Sequence, residues 1–264
     1  MIRLTYTVIS ALVIGFIVLP LVLIVWMSFF SNQILSFPPE GYTLDWYARA
    51  WSMSAFRNGF FTSLQTSLCA SVLALVLGIP ASLALVRGEF PGREAITTLL
   101  MTPMLVPAIV GGSALFVFYL EVELHSGLQI AGTMAGLIIA HALIALPWVV
   151  KLVTTALIGS NRSVEEAAAS LGAPAHVVFF RITVPMIWPG VVAGALFAFV
   201  NSFIDLEKSL FLVGPDRTTL QIALINYLEW NFDPTIGAVA TAQIAFVTVL
   251  LLLTSRYVKL HRAF

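Results

Sequence analysis

Residues 163–185 read SVEEAAASLGAPAHVVFFRITVP, and the way this stretch is finished at both ends governs how the remaining chain is read. Ser163 followed three residues later by Glu166 predicts a capping box, with the hydroxyl taking the Glu166 backbone N–H and the carboxylate reaching back. Ala167, Ala168 and Ala169 favour helix without help from packing. Gly172 suits the left-handed residue that closes a helix, and Pro174 stops its continuation. About eight residues between the caps make a helix of roughly 12 Å. Val164, Ala168 and Leu171 share one face, which another protein could approach closely. So short a helix is marginal alone and needs something to dock against.

Its surroundings are very apolar. Of 264 residues, 59% are hydrophobic and 10% charged, and the mean hydropathy is +0.98, which excludes an ordinary soluble domain. A crossing of a ~30 Å hydrocarbon core needs about 20 apolar residues. Six such windows fit, at about 6–30, 63–86, 95–120, 132–157, 185–205 and 235–255, and predict a single all-α transmembrane domain over 1–264. The capped helix then belongs to a loop over 159–184. The net charge of zero gives no field for nucleic acid. The single cysteine, Cys69, rules out an internal disulfide and reads as a small packing residue.

The basic residues orient the spans. With both termini inside, Arg3, Arg87, Arg93, Lys151, Arg162, Arg181, Arg256, Lys259 and Arg262 are cytoplasmic, and Arg49, Arg57, Lys208 and Arg217 lie outside. That asymmetry is the positive-inside bias, and it puts the capped helix in the cytoplasm.

Several side chains stand out within the spans. Gly190, Gly194, Ala198 and Ser202 recur every four residues, so span 5 has a continuously small face that lets a helix approach closely, from this chain or from another. Asn201 and Asp205 are one turn apart at the outer end of that span, with Glu207 and Lys208 next. A carboxylate at mid-bilayer costs about 2.5–3.5 kcal/mol on insertion scales, so it faces a watery path or a partner. The group is either a cation-attracting patch at the mouth of a path or an internal pairing with Lys208. His141, on span 4, fits a hydrogen-bonded packing residue better than a ligand, with no second ligand at metal spacing beside it. Pro103 and Pro107 predict kinks in span 3. Trp188, Tyr227 and Trp230 read as interface anchors.

Glu166-Ala167-Ala168, three residues, Gly172, nine residues, then Ile182-x-Val184-Pro185 resembles the EAA loop of ABC-transporter permeases, with Val184 in place of the family's leucine. FPPEGYTLDWY, RGEFPGRE, PMLVPAIV, AGTMAGLIIAHALIALPWVV and AFVNSFIDLEKSLFLVGPDRTTLQ extend the resemblance over nearly the whole chain, towards the second permease of the spermidine/putrescine importer class. The resemblance implies the type I importer permease fold in the bacterial inner membrane, with both termini cytoplasmic. It implies that Ser163, Glu166, Ala167, Ala168, Leu171 and Gly172 form a coupling helix seated in a cytoplasmic ATPase. It also implies two ATPase copies, a homologous second permease and a periplasmic solute-binding protein as partners, with ATP and Mg held by the ATPase. A polyamine is the leading solute, and Asn201, Asp205 and Glu207 are the candidates for its path. Relatives often carry two consecutive acids where this chain has Ile204-Asp205, so aminoethylphosphonate, amino acids, opines and ferric iron remain alternative solutes.

Enzymatic readings fare worse. No G-x-x-x-x-G-K-[ST] occurs, so nothing here cradles ATP phosphates and no cofactor is expected on this chain. Ser113 and His141 superficially resemble a rhomboid dyad, but that family's histidine lies much farther along, and the capped helix would have no role. A secondary transporter is the alternative of another class, though the inverted repeats common there are not seen.

Overall fold

The computed structural model describes residues 2–34, 36–214 and 217–261, with side chains described over 6–256 of these. Arg262 lies outside the described residues, as do the side chains of Arg3 and Lys259. The helices are α1 (Ile2–Met27), α2 (Asp45–Ser52), α3 (Ser54–Arg87), α4 (Arg93–Leu105), α5 (Ala108–Ser126) and α6 (Met134–Ile158). They continue as α7 (Arg162–Ser170), α8 (Ala175–Val178), α9 (Val184–Phe203), α10 (Ser209–Leu212), α11 (Leu220–Leu228) and α12 (Thr235–His261), with a wider π-type turn over Phe179–Thr183 joining α8 to α9. Among the described residues, six stretches are long and apolar enough to cross a membrane: Tyr6–Met27, Ser54–Arg87, Ala108–Ser126, Met134–Ile158, Ala175–Phe203 and Thr235–Arg256. The all-α, six-span architecture expected from the sequence is the one the chain adopts.

The centre is α3, α6 and α9. Ala74 of α3, Ala145, Val149, Val153 and Leu157 of α6, and Ile187, Val191 and Ala198 of α9 are buried together. They meet closely because the facing residues are small. A Cβ on Gly78 would stand 2.7 Å from Val149 Cγ1, and one on Gly194 would stand 3.2 Å from Val149 Cα. In hydrocarbon such packing holds helices together without a water-driven term. Two hydroxyls of α3 are satisfied locally: Ser67 donates to the Ser63 carbonyl at 2.7 Å, and Ser82 to the Gly78 carbonyl at 2.7 Å. Two smaller clusters flank the centre. Ala50, Phe56, Leu220, Ala223 and Val239 join α2, α3, α11 and α12, and Tyr119, Leu137, Ala140 and Leu212 join α5, α6 and α10.

Several boundaries differ from the sequence reading, each for a local reason. Span 2 begins at Ser54, not near 63, because polar residues such as Asn58 and Ser63 are carried within α3. Span 3 is broken: Pro107 pushes Val106 into an extended conformation (φ −75°, ψ 131°), dividing the expected 95–120 helix into α4 and α5. Helix α5 then runs through the Glu121–His125 segment expected to be a connection and stops at Gly127, which is left-handed at φ +71°. Span 5 extends back to Ala175 through the π-type turn, where the Val184 N–H reaches the Phe179 carbonyl. Pro185 has no N–H to continue a regular ladder there, and a widened turn absorbs the mismatch. Cys69 is exposed on α3, so it is not the packing residue expected.

Candidate functional site

Among the described residues, the candidate side chains gather at the seat of α7 and at a polar cavity beside the break in span 3.

Helix α7 forms as a capped helix, but its cap is not the one expected. Asn161 is the N-cap: its Oδ1 accepts the Ser163 N–H at 3.1 Å and the Ser163 hydroxyl at 2.7 Å. Asparagine is an equally good cap, and its position two residues earlier moves Ser163 inside the first turn. Glu166 then pairs with Arg162 one turn back, Nε to Oε1 at 3.0 Å, and does not reach the helix start. At the other end Gly172 is left-handed, φ +85°, and the Gly172 N–H bonds the Ala169 carbonyl at 2.9 Å. No residue of α7 is buried, and only Glu165 and Ala168 escape full exposure. Leu171, just past the helix, is 89% exposed, and Val164 is exposed beside Glu166 and Ala167.

Glu165, which the sequence reading passed over, turns inward. Its Oε1 accepts from Arg87 Nη2 at 3.2 Å and from Thr183 Oγ1 at 3.1 Å, and Arg87 Nη2 also donates to Ser160 Oγ at 3.1 Å. Glu165 and Ala168 stand three apart on one helix face, the face turned towards the core, while Glu166 points elsewhere.

The second place is a cavity of about 400 Å³ whose walls include Pro103, Val106 and Ala108 at the break of span 3, Trp148 of α6, and Asn201, Asp205, Glu207 and Lys208. The three candidate path residues therefore meet in one space. They are not equivalent. Asp205 is 8% exposed, and its Oδ2 accepts the backbone N–H groups of Lys208 at 3.2 Å and Ser209 at 3.1 Å, capping the short α10. Lys208 Nζ lies 4.0 Å from the other oxygen. Glu207 is exposed, and Asn201 donates to the Phe197 carbonyl of its own helix at 3.0 Å. Trp148 stacks on Phe197, centroids 5.2 Å apart, and offers the cavity an aromatic wall.

Behind the cavity stands His141. Its Nδ1 is hydrogen-bonded with Ser202 Oγ at 2.7 Å and its Nε2 with Ser209 Oγ at 3.1 Å, and Asp205 Oδ2 lies 3.9 Å from Nε2. It joins α6, α9 and α10 where the chain leaves α9. Ser113 is elsewhere engaged, donating to the Val110 carbonyl at 3.1 Å. The small face of α9 lies against α6: a Cβ on Gly190 would collide with Ala156 Cβ, Gly194 sits over Val149, Ala198 is fully buried, and Ser202 meets His141.

Of the aromatic anchors, only Trp230 is freely exposed. Trp188 packs against the central core. Tyr227 donates to Asp233 Oδ2 at 2.8 Å, beside Arg49 Nη1 at 3.4 Å, and tethers α11 to the start of α12. Burial raises the Tyr227 phenol above its ordinary value, which extends its role as a donor further into alkaline pH.

Residues 74–263 match the family described as the inner membrane component of binding-protein-dependent transport systems. The chain is 31% identical over 227 residues to the putrescine transport system permease protein PotI of Escherichia coli strain K12, covering 86% of this chain and 80% of that protein. It is 27% identical over 241 residues to the spermidine/putrescine transport system permease protein PotC of Haemophilus influenzae, covering 91% of each. Among solved structures, one chain of a bacterial ABC transporter that imports the acidic polysaccharide alginate superposes with a TM-score of 0.73 over 97% of this chain and 96% of that one, at 17% identity. That last likeness shows a shared fold.

Proposed function

Because the chain belongs to the family of inner membrane components of binding-protein-dependent transport systems, and is thus a multi-pass permease subunit of an ABC importer, we propose that its solute is a polyamine such as putrescine or spermidine. The observation that carries the reading is the cavity beside the broken span 3, where Glu207 is exposed and Asp205 sits deeper, facing Lys208, next to the aromatic face of Trp148. Carboxylates and an indole face together suit an alkylammonium chain, through ion pairing at its ends and contact with its methylenes. The names of the relatives point the same way.

The working cycle follows from the parts. A periplasmic binding protein delivers solute to the outer face of this permease and a homologous partner. Two ATPase subunits, which hold ATP and Mg, close on the cytoplasmic side. Helix α7, with Ser163, Glu166, Ala167, Ala168, Leu171 and Gly172 on or beside it, seats in the ATPase cleft and carries that closure to the spans. Its exposure on the side where the basic residues collect supports this role. The helix can bias the permease only by making different contacts in the two states.

The test is gentle affinity purification of the tagged chain from native membranes, followed by native mass spectrometry. Two ATPase copies, one different permease and a retained polyamine are expected. A stable lone chain or homo-oligomer without an ATPase would overturn the reading.

A further inference from the structure

We propose that Glu165 and Arg87 are positioning residues that form the joint through which movement of α7 reaches the membrane spans; this rests on the reading of α7 as the helix driven by an ATPase. Apolar packing cannot do this work, because no residue of α7 is buried and Leu171 and Val164 face outward. Among the described residues, the side-chain hydrogen bonds that tie α7 to the spans converge on one polar knot. The Glu165 carboxylate gathers Arg87 Nη2 at 3.2 Å and Thr183 Oγ1 at 3.1 Å, and the same Arg87 nitrogen reaches Ser160 Oγ at 3.1 Å. Arg87 is the last residue of α3, Thr183 immediately precedes α9, and Ser160 follows the end of α6. Those are the three helices of the central core, so a displacement of Glu165 pulls on all three at their cytoplasmic ends.

The knot is firm and also able to change. Arg87 and Glu165 side chains are only 21% and 16% exposed, so the pair is shielded from water, and losing one partner strands the other's charge. Yet the guanidinium engages through a single nitrogen, and its buried Nε has no hydrogen-bond partner among the described residues. A guanidinium meets a carboxylate best through two parallel N–H groups. The arrangement seen here leaves that second contact unmade, and a shift of α7 relative to α3 can make it. This supplies the difference in contact free energy between two states that any coupled motion requires.

A static brace would hold the loop folded and nothing more. The two roles separate in the number of ATP molecules hydrolysed per solute imported by the assembled importer in proteoliposomes. Arg87→Gln is expected to assemble with its partners and keep hydrolysis within about twofold, while uptake falls ~10-fold, so ATP used per solute rises ~10-fold, within the usual span of coupling between sites. Arg87→Lys, which keeps the charge without the fork, is expected to lie between. Thr183→Val removes one neutral donor at nearly equal volume and is expected to raise the ratio ~5-fold, the loss of one hydrogen bond; it serves even where Arg87→Gln fails to assemble. Unchanged ratios, or uptake and hydrolysis falling in parallel, would overturn the joint. A wild-type complex whose uptake ignores ATP would instead sink the reading of α7 on which the joint rests.

Discussion

Asp205 and Glu207 look alike in the sequence and do different work in the cavity. Asp205 holds the backbone N–H groups at the start of α10 and faces Lys208 and His141, so much of its charge is spent inside the protein. Glu207 is exposed and has no internal ion pair among the described residues. Glu207→Gln is therefore expected to raise the KM for a cationic solute roughly 2- to 5-fold with little effect on assembly, since one partly screened charge pair is worth up to about 1 kcal/mol. Asp205→Asn is expected to weaken uptake and also to lower the thermal stability of the chain in detergent, because it loosens the cap and leaves Lys208 without its carboxylate partner. Transport kinetics with both acids neutralised that match wild type would remove this cavity from the solute's path. The sequence offered both readings of Asp205, path residue or partner of Lys208. It could not choose, because the choice depends on α10, a single turn of helix too short to leave a periodic signal.

At the scale of elements, the small face of α9 and the turn after α7 make the sharpest predictions. The close approach of α9 to α6 leaves no room at Gly190, where any side chain meets Ala156 and the Leu152 carbonyl. Gly190→Val is expected to abolish stable insertion, while Ala198→Gly costs only about 1 kcal/mol in helix propensity. Gly172 is the opposite case, with open space around it but a left-handed backbone at φ +85°. Gly172→Val strains the backbone by at least about 1–2 kcal/mol without a clash. We expect uptake to be lost while the chain stays in the membrane, and the same for Glu166→Arg, which breaks the pairing with Arg162. Wild-type uptake by either variant would contradict the role given to α7. Much of this was legible. Four-residue spacing revealed the small face, and the Gly172-x-Pro174 stop revealed the end of α7. The break of span 3 was only half visible, since Pro103 is tolerated inside α4 while Pro107 ends it. Periodicity does not distinguish those two outcomes. Glu165 was missed for a different reason: its partners Arg87 and Thr183 are remote in sequence, and only the packed cytoplasmic ends of α3 and α9 bring them together.

Across the whole molecule, the hydrogen bonds of Glu165 and Arg87 tie the exposed α7 to the ends of α3, α6 and α9, and this three-helix core runs on to the cavity. The outer half is closed by side-chain contacts instead: Tyr227 and Arg49 on Asp233, and His141 between Ser202 and Ser209. The number of spans and the position of α7 were readable, because length and hydropathy are properties of the chain itself. Helices α10 and α11 were not, since they fold within a connection and owe their helical state to packing on α5, α6 and α3. The most direct measurement is uptake of labelled putrescine by proteoliposomes holding the complex purified through this chain, with binding protein outside and ATP inside. The account predicts accumulation that requires both ATP and binding protein, is competed by spermidine and is weakened by Glu207→Gln. Accumulation driven by an ion gradient alone, or indifference to polyamines in an otherwise ATP-active complex, would contradict it.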